Sequence, residues 1–79
     1  MLYTIYLNRR VNGTLWESSP LYVIADTDRE AQTKWAEQVK ANLASHGCGK
    51  IEVPAKVKAG WKAELAPYSF SLTTIQPRR

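Results

Sequence analysis

Polar and apolar positions alternate from the start of the chain. In residues 2–8, LYTIYLN, the residues Tyr3, Ile5 and Leu7 fall on one side and Thr4, Tyr6 and Asn8 on the other. That period of two predicts a strand. Asn12-Gly13 follows, the strongest short hairpin signal, because a type I′ turn needs positive φ at both central residues. A returning strand is expected over 14–25, with Arg9 facing Trp16 and Leu7 facing Ser18. Pro20 cannot donate to a ladder, so Ser19-Pro20 predicts either a bulge or a sheet edge.

The period then changes. Thr27-Asp28-Arg29-Glu30 reads as a capping box, with Thr27 as N-cap and Glu30 reaching back. Asp28 and Glu30 suit the positive end of a helix dipole. Gln32, Trp35, Ala36, Val39 and Leu43 recur at helical spacing and predict one apolar face, with Glu30 and Lys34 paired on the outer side. The pattern stops at Leu43-Ala44. Gly47 stands where a C′ glycine belongs, and His46 suits the negative end of the dipole.

Alternation returns in residues 50–57, where Ile51, Val53, Ala55 and Val57 oppose Lys50, Glu52, Pro54 and Lys56. This predicts an edge strand, with Pro54 on the edge. Trp61, Ala63 and Leu65 alternate again. A loop Lys58-Ala59-Gly60 with Gly60 in the left-handed region would set Val57 opposite Trp61 and Val53 opposite Leu65. Helical spacing of Val57, Trp61 and Leu65 keeps a helix over 55–66 open as the rival, although Gly60 counts against it. SFSLTTI at 69–75 is strand-like. GTLWESSPLYVIADT and GWKAELAPYSFSLTT share glycine, glutamate, proline and threonine at matching offsets, a faint echo that favours strand after Gly60.

These elements predict an α+β fold of order β-β-α-β-β, one helix packed on one face of a mainly antiparallel four-stranded sheet. A right-handed crossover is expected. The second and third strands would then run the same way, and the two hairpin tips would lie at opposite ends. Residues 1–79 form a single small domain in this reading, with a frayed basic tail at 76–79.

Composition narrows the function classes. A chain of 79 residues has a thin core and little room for a deep, walled site. Its one cysteine excludes an internal disulfide, which small secreted domains usually need. MLYTIYLNRR does not read as a secretory leader, and the longest strongly apolar run, LYVIA, cannot span a bilayer. A cytoplasmic protein without a membrane association is expected. His46 and Cys48 straddle a glycine turn with no further ligands near them, so LASHGCGKIEV reads as a corner rather than a metal or nucleophile site. An exposed reactive thiol at Cys48 is the other reading. The seven acidic residues are scattered, and no phosphate loop or metal spacing occurs. No enzyme and no cofactor are expected.

The net charge of +4 and pI near 9.5 admit nucleic acid or an acidic protein surface as partner. Tyr6, Arg9, Arg10, Lys56, Lys58 and Lys62 are the candidate partner-binding residues. Tyr6 and Arg10 share the strand face opposite Ile5 and Leu7, and would be exposed if those two face the helix. Solvated lysines that keep sheet edges from pairing are the plainer account of the same charges. Trp and Tyr with Arg are also the residues of protein hot spots. Trp35 belongs to the core by its helix position, whereas Trp16 and Trp61 lie near hairpin tips.

In size and element order, with YTIYLNRRVNG as a strand and hairpin and TDREAQTKWAEQV as a capped helix, the chain resembles small phage-encoded host-defence inhibitors such as anti-CRISPR proteins. The resemblance spans the chain as architecture and carries over no functional residue. It implies a non-enzymatic inhibitor in the host cytoplasm, docking on a protein complex that handles nucleic acid. Direct binding of DNA or RNA through the same basic residues is the alternative. Either a monomer or a homodimer fits.

Overall fold

The computed structural model describes residues 1–74, so the expected tail at 76–79 lies outside the described residues. Two long strands, β1 (Leu2–Val11) and β2 (Thr14–Ile24), lead into helix α1 (Asp28–Ser45), and β3 (Lys62–Leu65) and β4 (Tyr68–Thr74) complete the chain. The sheet order is β2-β1-β4-β3, with every neighbouring pair antiparallel. The expected α+β class and element order hold. One helix covers one sheet face, and the molecule is only 18 Å thick between Cα atoms along its short axis.

The first hairpin turns through Asn12 (φ 51°) and Gly13 (φ 83°), the two positive dihedrals the Asn-Gly signal calls for. Its register differs from expectation. Val11 pairs with Thr14 and Arg10 with Leu15, but Arg9 then pairs with Glu17 and Leu7 with Ser19. The register shift falls between Arg9 and Arg10, so β2 carries one extra residue, Trp16. Pro20, by contrast, breaks nothing: β2 runs through it opposite Tyr6. The bond from the Ala25 N–H to the Met1 carbonyl fixes the ladder phase, so odd-numbered β2 residues bond inward and Pro20 turns its missing donor to the outer edge.

Tyr3, Ile5, Leu7, Leu21, Val23, Phe70 and Leu72 share the covered face, where Trp35, Ala36, Val39 and Leu43 of α1 meet them. The Trp35 indole also stacks edge-on to Tyr3, with ring centroids 6.2 Å apart, and donates to the Leu21 carbonyl. Burial, with the Asp28 carboxylate alongside, raises the Tyr3 phenol above its ordinary pKa. Ala31 takes the deep position on the helix, and Gln32 is only half-buried. Thr27 caps the helix by accepting from the Glu30 N–H at 3.1 Å. The reciprocal bond of the box is shifted by one residue, since the Glu30 carboxylate accepts from the Asp26 N–H at 2.8 Å.

At the other end, His46 is the C-cap and Gly47 (φ 77°) the left-handed C′ residue. The Gly47 N–H bonds the Ala44 carbonyl and the Cys48 N–H bonds the Leu43 carbonyl, the two bonds of a Schellman motif. Cys48 is buried against Leu43, so the corner reading holds and the exposed-thiol reading does not.

The C-terminal part departs most from expectation. Residues 50–57 form no strand; they run as an irregular connection. Their alternation has another cause. Val57 is buried, Ile51 and Val53 pack against the core from its margin, and the Val57 N–H bonds the Gln32 carbonyl on the helix. Gly60 does adopt positive φ (97°), but its N–H bonds the Leu72 carbonyl rather than closing a hairpin with 53–57. Residues 62–65 are strand, not helix, and pair with β4 through a turn at Ala66-Pro67, whose peptide bond is cis. The two prolines of the repeat thus play unlike roles, Pro20 within a strand and Pro67 in a turn.

The strand directions follow from the pairings. β2 and β3 lie at opposite edges and run opposite ways. The strand expected to run with β2, 50–57, does not form, and the second hairpin turns at Ala66-Pro67 rather than at 58–60, so the tips are not at opposite ends as expected. Both hairpin tips therefore sit at one end of the sheet, where the Asn12 N–H donates to the Pro67 carbonyl at 2.8 Å.

Candidate functional site

Functional side chains must come from what the core leaves over. Two regions stand out: the sheet face that no helix covers, and the end carrying both tips.

On the uncovered face, β1 contributes Leu2, Thr4, Tyr6, Asn8 and Arg10. Cross-strand pairing lays them in rows: Leu2 beside Ile24, Thr4 beside Tyr22, and Tyr6 between Pro20 and Thr73. Asn8 lies between Ser18 and Ser71, with Lys62 beyond, and Arg10 lies beside Ser69, with Glu64 beyond. Asn8 is only 7% exposed despite its place on the open side. Its amide N–H donates to the Thr73 hydroxyl at 2.9 Å, and its carbonyl accepts from Ser18. Every strand but the short β3 is thus stitched across this face by a satisfied polar bridge.

Arg10 Nη1 donates to the Ser71 hydroxyl at 3.3 Å, which holds the guanidinium over β4. Arg10 and Lys62 line one shallow depression with Glu64, Ser69 and Ser71. Among the described residues neither cation enters an ion pair. The fold therefore brings together Tyr6, Arg10 and Lys62 of the expected set on one face. Lys56 and Lys58 stand apart, exposed on the connection beside Trp61. Arg9 points the other way, to the covered side.

That placement of Arg9 builds the tip site. The helix of 18 residues is about 27 Å long, whereas the ten residues of β1 span about 33 Å. The sheet therefore extends past the helix C-terminus. In the uncovered margin lie Arg9, Val11, Trp16 and Tyr68, which together line a small groove. The Arg9 guanidinium contacts Glu17 Oε1 at 3.4 Å and sits 6.0 Å from the centre of the Tyr68 ring. Glu17 Oε1 also lies 3.3 Å from Nε2 of His46, whose Nδ1 donates to the Asn42 carbonyl at 2.8 Å. Arg9 Nε is buried with no acceptor among the described residues. The half-exposed Glu17 makes its pair with Arg9 worth under about 1 kcal/mol. Its effect, with the Tyr68 ring, is to hold the Arg9 side chain in one place.

Above this platform stands Trp16, 67% exposed. The extra residue in β2 determines its direction, because a bulge re-aims side chains. Leu15, also exposed, lies on the other side of the same strand opposite Arg10. The sequence placed Trp16 near a tip without deciding its exposure, and Tyr68 was not singled out. The sequence register already sets Trp16 opposite Arg9; the register shift pairs Arg9 with Glu17 and leaves Trp16 as the extra residue beside the groove, and no local motif announces the shift or the place of Tyr68.

No group of three or more metal-ligating side chains occurs among the described residues. Among the described residues no helix is long and apolar enough to cross a membrane. The chain matches no family model, no curated protein and no solved structure.

Proposed function

We propose that this chain is a non-enzymatic binding protein that docks on a protein partner through its tip end and the adjoining basic half of its uncovered face. The single observation that carries the reading is Trp16, held in solvent by a bulge above the fixed Arg9–Tyr68 pair. Trp, Tyr and Arg are the residues that dominate protein hot spots. An anchor already ordered before binding loses little side-chain freedom on docking. Arg10 and Lys62 widen the footprint and favour a partner with carboxylates or phosphates at its rim.

The architectural resemblance to small anti-defence inhibitors supports a nucleic-acid-handling complex as that partner, and inhibition as the outcome of docking. The sole cysteine, reduced and buried, supports a cytoplasmic setting.

Direct nucleic-acid binding is the second reading. It is favoured by the depression in which Arg10 and Lys62 meet the hydroxyls of Ser69 and Ser71. One experiment separates the two. Wild type and a Trp16→Ala/Arg10→Ala/Lys62→Ala variant are used as baits in host lysate. In parallel, each is titrated with fluorescein-labelled single-stranded DNA and RNA across a salt series. The protein reading expects a partner captured by wild type and lost by the variant, with weak oligonucleotide binding. Tight binding to bare oligonucleotide that falls steeply with salt would replace it with the second reading.

A further inference from the structure

The uncovered face has a second half that the docking reading does not use. At the end away from the tips, Leu2, Tyr22 and Ile24 are 59%, 57% and 64% exposed. They are adjacent, since Leu2 pairs with Ile24 and Tyr22 with Thr4, and Tyr6 and Pro20 continue the patch. We infer that this corner is the interface for a second copy of the same chain, packed face to face about a two-fold axis.

Charge selects the occupant. Leu2, Thr4, Tyr6, Pro20, Tyr22, Ile24 and Thr73 are all uncharged, and charged residues appear on this face only from Lys62, Arg10 and Glu64 onward. An acidic or basic partner would gain no complementary contact here. A second copy supplies the same uncharged surface, and a two-fold arrangement directs the Arg10–Lys62 half of each copy away from the other.

The sheet edge next to this corner is closed to the alternative mode of self-association. An edge strand can add a strand from another copy only through free outward N–H and C=O groups. On β2, Pro20 offers no N–H, Gln38 donates to the Tyr22 carbonyl at 2.8 Å, and Lys34 Nζ donates to the Ile24 carbonyl. The helix thus occupies the outward carbonyls next to the apolar corner while leaving the corner's face bare. Edge-to-edge pairing there is obstructed, and the bare face is the open route for association.

The size of the patch sets the strength. A handful of adjacent exposed apolar side chains falls among the largest apolar patches of monomers, about 300–600 Å², which are often functional. Two such patches together bury about 600–1,200 Å², below the standard size of a stable interface. The dimer is therefore weak and concentration-dependent, and it leaves Trp16 and the tip free.

The test is sedimentation velocity of the full chain from about 1 µM to about 1 mM, a span that brackets a weak dimer. The expected mass rises from 8.9 kDa toward twice that value. A Tyr22→Ser/Ile24→Ser variant, checked for wild-type circular dichroism and melting, is expected to stay at the monomer mass throughout. Trp16→Ala is expected to dimerise as wild type does, so this result is independent of the docking reading. A wild type that remains monomeric over the whole range overturns the inference. So does a dimer that survives both substitutions, or a monomeric wild type whose partner capture is abolished by Tyr22→Ser/Ile24→Ser, which would assign the patch to the partner.

Discussion

The two faces of the sheet are made by the same strands and differ in almost every other respect. On one, Ile5, Leu7, Leu21, Val23, Phe70 and Leu72 are almost wholly removed from water under the helix and the 46–61 connection. On the other, their sequence neighbours Tyr6, Asn8, Tyr22, Ser71 and Thr73 face solvent or one another through hydrogen bonds. Period-two geometry lets a 79-residue chain divide its labour residue by residue. Odd positions of β1 face the core, and even positions face the open side, where Asn8 alone is buried as a bridge between strands. Arg9 obeys that division only in position. It lies on the covered side but beyond the helix, so it belongs to the surface.

The sharpest contrast comes from truncating each face in turn. Leu72→Ala, at the centre of the covered face, removes a fully buried side chain. It is expected to cost about 2–5 kcal/mol, read by urea unfolding, which is a large share of the stability of so small a domain. A cost below about 1 kcal/mol would show that the covered face is not the main source of stability.

Asn8→Ala is the next largest test. It removes both hydrogen bonds of the bridge and leaves the exposed hydroxyls of Ser18 and Thr73 to water. A loss of about 1 kcal/mol is expected, the net worth of such bonds when the surviving partners are solvated. A neutral result would mean that water replaces the amide without loss, and that the open face contributes nothing to holding the strands together.

A smaller effect, and one that depends on pH, lies at the start of the helix. The Asp26 N–H bonded to the Glu30 carboxylate lowers its pKa below the usual glutamate value, against opposing desolvation, and Lys34 lowers it further. A group whose folded pKa is depressed adds stability that is present above its unfolded pKa and is lost as pH falls through the folded one. The melting temperature of wild type is therefore expected to fall more than that of Glu30→Gln between about pH 5 and pH 2. Parallel curves would show that the carboxylate at the cap makes no difference.

How far the sequence revealed this division depends on the range of the interactions. The Asn12-Gly13 turn, the Thr27 cap and the Gly47 corner are set by dihedrals and bonds within a few residues, and all three were legible. So was the face shared by Tyr6, Asn8 and Arg10. The strand at 50–57 was misread because burial against a helix margin every second residue has the same period as a ladder. Ile51, Val53 and Val57 alternate for the first reason. The hairpin at 58–60 and the tip placement drawn from it fell with that strand, since residues 46–61 are a long connection that takes the chain to the far edge and the second turn comes at Ala66-Pro67. The bulge at Trp16 left no local mark. It arises from pairing across the hairpin, which one strand's pattern does not record; the nearness of Trp16 to Arg9 was legible in the unbulged register, whereas the addition of Tyr68 from β4 was not.

On the proposed docking reading, the side chains that bind are uncoupled from those that fold the chain. The direct measurement is urea unfolding of Trp16→Ala/Arg10→Ala/Lys62→Ala beside wild type, on the same preparations used for partner capture. Stabilities within about 1 kcal/mol of each other and capture by wild type alone are expected. A variant as unstable as Leu72→Ala, or one that captures the partner as wild type does, would contradict that reading.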